Sequence, residues 1–234
     1  MDTLHDSFGL ALNLMWSADA RVAHIVVLSL AVSTAATALA CVLGMPLGAL
    51  LAVGRFRGRR GLIVLFNGLM GLPPVVVGLL VYLLLSRAGP LGQLGLLFTP
   101  GAMVVAQTIL IAPIVAALSR QVIEDAWSEY REQLRSLGTS RWRAGRTLLW
   151  DTRFSLSTAA LAGFGRAIAE VGAVMIVGGN IDGVTRVMTT TIALETSKGD
   201  LALALALGVI LMAVVLAVNM AAFVLRQWAV QRWG

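Results

Sequence analysis

A run of residues at 22–53 contains no Asp, Glu, Lys or Arg. It exceeds the ~20 apolar residues that cross a bilayer core. Similar runs follow at about 62–85, 102–118, 154–177 and 201–225. The apolar residues come in blocks rather than in alternation, so spanning helices are expected rather than the strands of a membrane barrel. Composition agrees: 58% of the 234 residues are hydrophobic and 13% charged, about half the charged share of a soluble domain. A soluble domain could not clothe its surface from this supply, and disorder or a disulfide scaffold is excluded on the same grounds. The expected fold class is an all-α polytopic membrane protein with five spans.

The formal net charge is +6 and the pI about 10.9. In a soluble chain this balance would point to nucleic acid; in a membrane chain it reports Arg-rich cytoplasmic loops, so no nucleic-acid partner is expected. The single cysteine, Cys41, lies inside an apolar run, and the two histidines are His5 and His24. No metal site and no catalytic set is expected from these.

The segment 1–21 carries Asp2, Asp6 and Asp19 ahead of Arg21, the wrong charge order for a signal peptide. Its apolar residues from Phe8 to Trp16 suit a short interfacial helix. Five spans place the two chain ends on opposite sides. One side then collects 13 arginines: those of the 55–60 turn, of the loop 119–153, and Arg226 and Arg232 of the tail 226–234. The other side holds Arg21, Arg87, Arg186 and Lys198, with Arg166 inside the fourth run. The positive-inside rule therefore sets the N-terminus outside and the tail in the cytoplasm.

Within the loop 119–153, Trp127, Tyr130, Leu134 and Leu137 share one helical face. Gly138 is placed to stop that helix, and Thr139 or Ser140 to cap the next. The expected product is a short helix, a glycine turn and a second short helix. It either lies on the anionic inner leaflet or inserts into a groove of a cytoplasmic partner.

Arg166 and Glu170 stand four apart in the fourth run, on one helical face. Charges at membrane depth are paired or face a polar interior, so they form a structural ion pair or an anion-facing arginine held by its carboxylate. The small residues Gly163, Gly165, Ala167, Ala169, Gly172 and Ala173 permit close helix approach, within one subunit or between two. Pro73 and Pro74 interrupt the second run, as a kink or as a broken helix lining a cavity. Gly178, Gly179 and Asn180, with Thr189, Thr190 and Thr191, offer bare backbone, an amide and hydroxyls at the outer end. These are neutral donors for an anion passing a gate, or parts of an outer-surface helix. No phosphate-binding Gly-x-x-x-x-Gly-Lys-Ser/Thr loop exists, so this chain is expected not to hydrolyse ATP.

The stretch Glu132-Gln133-Leu134-Arg135-Ser136-Leu137-Gly138-Thr139-Ser140-Arg141-Trp142 resembles the coupling-helix motif of ATP-binding-cassette importer permeases, which begins Glu-Ala-Ala and places Gly six residues after the Glu. Gln133 and Leu134 replace the two Ala, and Trp150-Asp151 stands where Leu-Pro is usual. Gly71-Leu72-Pro73-Pro74-Val75-Val76-Val77-Gly78 and Gly163-Phe164-Gly165-Arg166-Ala167-Ile168-Ala169-Glu170-Val171-Gly172-Ala173 are similar to the molybdate, sulfate and tungstate group. Leu84-Leu85-Ser86-Arg87 and Ile192-Ala193-Leu194-Glu195-Thr196-Ser197-Lys198-Gly199-Asp200 look most like its tungstate members.

The resemblance implies the membrane domain of a type I importer in a bacterial or archaeal inner membrane. It implies a homodimer, a cytoplasmic ATPase subunit that carries ATP and Mg, and an extracytoplasmic oxyanion-binding protein. The ATPase would dock at Glu132, Gly138 and Trp142, and the chain itself would bind no cofactor. The cargo implied is tungstate, with molybdate and sulfate as alternatives. An intramembrane enzyme would need a nucleophile and base at membrane depth, and a secondary transporter an inverted repeat; neither pattern is present.

Overall fold

A computed structural model describes residues 20–233. The interfacial helix expected near Phe8 lies outside them. Among the described residues are nine α-helices: α1 (Ala20–Val53), α2 (Arg59–Leu69), α3 (Pro74–Leu85), α4 (Pro100–Ser136), α5 (Arg141–Asp151), α6 (Arg153–Ile168), α7 (Gly172–Gly178), α8 (Met188–Lys198) and α9 (Leu201–Trp233), with a 3-10 turn at Gly92–Leu94. Helices α1, α4 and α9 are each long and apolar enough to cross a membrane. The pairs α2–α3 and α6–α7 pass the same test only together, bent by 101° and 61°. Five spans therefore result when each bent pair counts as one.

The breaks have local causes. Pro73 is extended and Pro74 opens α3 at its first position, where the missing N–H costs nothing. The proline pair is thus a helix start after a sharp turn, not a kink in a continuous span. Helix α6 stops at Ile168 and α7 begins at Gly172. Glu170 therefore sits beyond the helix end, and the single helical face expected for Arg166 and Glu170 is interrupted between them. Pro46 and Pro113 lie inside α1 and α4 without ending either. The helix of the third span continues unbroken to Ser136, so the first helix of the expected loop hairpin is an extension of α4. The tail after 225 continues α9 in the same way.

The described residues fall into two compact units. The first comprises 20–35 with Pro73–Gln107 and Ile168–Leu225. There α3 lies so close on α7 that a Cβ on Gly78 would stand 2.8 Å from the Ala173 Cα. Ser29 of α1 accepts a hydrogen bond from the Met188 N–H at 2.8 Å, tying α1 to the start of α8. Asp200 caps α9, accepting from the Leu203 N–H at 3.1 Å.

The second unit comprises Ala36–Leu72, Thr108–Ala167 and 226–233. Gly44 and Gly48 of α1 meet α4 backbone to backbone. Added Cβ atoms would fall 2.9 Å from the Ala112 carbonyl oxygen and 2.7 Å from that of Ala116, the close approach that small residues allow between membrane helices. A core of Ala49, Ala52, Val53, Ile123, Ala126, Leu148 and Leu156 joins α1, α4, α5 and α6.

Candidate functional site

In the second unit, the apolar face read from the sequence divides. Trp127, Tyr130 and Leu134 pack on the core formed by Val53, Ile123 and Leu148, which anchors the extension of α4. Leu137 lies one residue past the helix end and is 77% exposed. Gly138 takes φ +68 with nothing near its missing Cβ. The Thr139 N–H donates to the Leu134 carbonyl and the Gly138 N–H to that of Arg135, the paired bonds of a Schellman stop. Ser140 then caps α5, accepting from the Arg143 N–H at 3.4 Å. Glu132 and Gly138 are exposed, and Trp142 is 75% exposed. The turn thus presents Leu137 and Trp142 outward from a buttressed base.

That base is strongly cationic. Desolvation, and then the like charges of Arg55, Arg135 and Arg131, lower the pKa of the Arg141 guanidinium. Arg141 Nη1 donates to the Val53 carbonyl at 3.5 Å. Arg59 caps the end of α1: Nε donates to the Leu51 carbonyl at 2.6 Å, and Nη2 to Ala52 at 3.3 Å and to Glu124 at 2.8 Å. Glu124 also pairs with Arg120. The sequence shows these arginines as charge alone. Their work as helix caps appears only when α1 and α4 are side by side.

In the first unit, the residues suggested for a gate are largely engaged with their own chain. Thr189, Thr190 and Thr191 are buried. Thr189 Oγ1 donates to the Glu170 carbonyl at 2.8 Å. Thr190 and Thr191 both donate to the Val187 carbonyl, and Thr190 accepts from the Val187 N–H. They therefore build the first turn of α8. Gly178 is buried, its carbonyl taking the Thr185 hydroxyl at 2.6 Å. Gly179 (φ +72) and Asn180 (φ +50) close α7 in left-handed conformations. Phe98, itself at φ +62, donates its N–H to Val177 and meets Tyr82 edge to face.

Glu170 is 4% exposed, and its Oε1 accepts from the Ala173 N–H at 3.1 Å. Arg166 lies in the last turn of α6 and is half-buried. Pro73 is exposed and Pro74 half-buried. A small space of about 10 Å³ is lined by Ser29, Ser33, Gln107, Glu170 and Thr189 with Val32, Ile168 and Val187, room for roughly one water molecule. Ser29, Ser33 and Gln107 were not singled out from the sequence. The available signal was the four-residue spacing of Ser29, Ser33 and Thr37 within α1, a polar stripe on an otherwise apolar helix. All three are buried.

The family model described as binding-protein-dependent transport system inner membrane component matches residues 44–234. A tungstate uptake system permease protein of Peptoclostridium acidaminophilum is 39% identical over 97% of this chain and 100% of its own length. A probable anion ABC transporter permease protein of Haloferax volcanii is 42% identical over 83% of this chain and 86% of its own. The tungstate uptake system permease protein of Campylobacter jejuni is 37% identical over 94% and 92%. The chain belongs to the family of binding-protein-dependent transport system inner membrane components.

Proposed function

We propose that this chain is the permease subunit of an ATP-driven importer whose cargo is the tungstate oxyanion. The observation that carries this reading is the end-to-end match to a tungstate uptake permease, which covers 97% of this chain and all of that relative. The arginine asymmetry supports an external N-terminus and an internal coupling turn. Two copies of the chain form the pathway, and an external binding protein delivers the anion. A cytoplasmic ATPase, holding ATP and Mg, docks on Glu132, Gly138 and Trp142.

The exposed Leu137 and Trp142 beside the Gly138 turn support the docking role, because isolated apolar side chains on a rigid turn suit a groove in a partner. ATP-driven closure of the ATPase pair then moves the two turns together, and the spans exchange inward-open for outward-open states. Glu170 and the three threonines hold the α7–α8 region in shape by hydrogen bonds to the backbone. A pathway that binds its anion weakly favours release.

The test is reconstitution of this chain with its ATPase and binding protein in liposomes. ATP hydrolysis and uptake are then compared with tungstate, molybdate and sulfate. Tungstate is expected to stimulate both. Stimulation by sulfate alone would overturn the cargo, and oxyanion uptake by this chain without the ATPase would overturn the importer.

A further inference from the structure

Two apolar grooves lie on either side of one arginine in the second unit. The first, of about 710 Å³, has Met45, Leu149 and Leu156 as its floor and Arg146, Trp150 and Arg153 at its edge. The second, of about 420 Å³, is floored by Pro46, Ala49, Leu50 and Val53 and shares Arg146 and Leu149 with the first. Arg141 and Trp142 stand at its rim, so this groove borders the docking turn. Among the described residues, three guanidiniums and no carboxylate line the pair.

Arg146 makes no ion pair among the described residues. Arg153 is fixed in advance. Its guanidinium lies 5.1 Å from the Trp150 ring centroid and 4.4 Å from that of Phe154, and Nη1 donates to the Trp150 carbonyl at 2.9 Å. This site falls where the Arg-rich helix α5 gives way to the apolar α6. Arginine and tryptophan at such a boundary sit at headgroup depth on the cytoplasmic face.

We propose that this pair of grooves seats one anionic phospholipid, its phosphate held by Arg146 and Arg153 and its two acyl chains lying in the two apolar troughs. The shape and the charge argue together. A free anion has no use for two hydrocarbon troughs, and a zwitterionic lipid brings an ammonium into a cluster of guanidiniums. A bound lipid of this kind would brace α1 against α5 next to the coupling turn.

The experiment uses the full-length chain, purified in mild detergent and titrated with phosphatidylglycerol or phosphatidylcholine of equal acyl length, with bound lipid counted by native mass spectrometry. One phosphatidylglycerol per chain should be retained over phosphatidylcholine. Arg146→Gln should cut that preference about fivefold, while Arg146→Lys, which keeps the charge, should retain most of it. Arg57→Gln, an exposed arginine outside both grooves, should change nothing. Elution of each variant at the wild-type volume establishes that it is folded.

Equal retention of the two lipids would overturn the proposal, as would an equal loss in Arg57→Gln, which would mean diffuse charge. Displacement of the lipid by inorganic phosphate, or equal retention of dihexanoyl phosphatidylglycerol, would reassign the site to a bare anion. Loss of the lipid on adding the ATPase would assign the grooves to that partner. None of these outcomes touches the cargo assignment, which rests on the uptake assay.

Discussion

The hydroxyl of Ser29 closes the start of a helix 159 residues away: Oγ accepts the Met188 N–H at 2.8 Å while donating to the Ile25 carbonyl at 2.7 Å. Both residues are buried, Met188 at 0% exposure. Replacing Ser29 with Ala would strand a buried backbone donor, which costs about 1–3 kcal/mol. Denaturant titration in mixed micelles should show this loss. An unchanged midpoint would mean that water or another group reaches the Met188 N–H.

A second prediction concerns the end of α7. Gly179 lies at φ +72, and a Cβ there would stand 2.9 Å from Phe98 Cδ1. Gly179→Ala should lose roughly 1–2 kcal/mol to the left-handed backbone alone, and more to the collision. Phe98→Ala in that background removes the collision but not the backbone term. The double variant should therefore be less unstable than the sum of the two singles. Strict additivity in the same micelle titration would show that the ring moves aside without cost.

Glu124 serves two arginines, Arg59 and Arg120. Its side chain is 40% exposed, so solvent screens the pairs. Glu124→Gln should cost under about 1 kcal/mol, and less at high salt. Arg59→Ala should cost more and depend less on salt, because it also removes donors from the Leu51 and Ala52 carbonyls at the end of α1. The reverse order of the two variants in thermal melts at low and high salt would refute this assignment.

Gly138 separates backbone strain from docking. At φ +68 with open space around it, Gly138→Asn should be tolerated, since Asn adopts the left-handed conformation most readily after Gly. Gly138→Val should distort the turn, leave membrane insertion intact and abolish cargo-stimulated ATP hydrolysis in the reconstituted complex. Trp142→Ala should leave the unfolding free energy within about 0.5 kcal/mol of that of the unmodified chain, yet weaken co-purification of the ATPase. Full co-purification of the ATPase with Trp142→Ala would remove Trp142 from the docking surface.

Much of the local architecture is legible in the sequence because it depends on neighbours along the chain. Uninterrupted apolar runs mark α1, α4 and α9, since a helix must satisfy its own backbone in lipid. Gly138 and Ser140 mark a stop and a cap, since both act within one turn of themselves. Hydropathy does not register that the second and fourth runs are each two helices set at an angle, because it averages over the break at Pro73 and the one after Ile168.

Tertiary structure alone decided which polar groups are used and for what. Thr189 looks like a free hydroxyl in the sequence, but burial beside Glu170 gives it a carbonyl to bond. Arg59 reads as one charge among many until the end of α1 comes within its reach. The sequence by itself determined where the chain enters the membrane and where it turns, because hydrophobicity and backbone preference act locally. The partners of its polar side chains were decided by packing, because a buried hydrogen bond depends on what lies across the gap, which can be 159 residues distant.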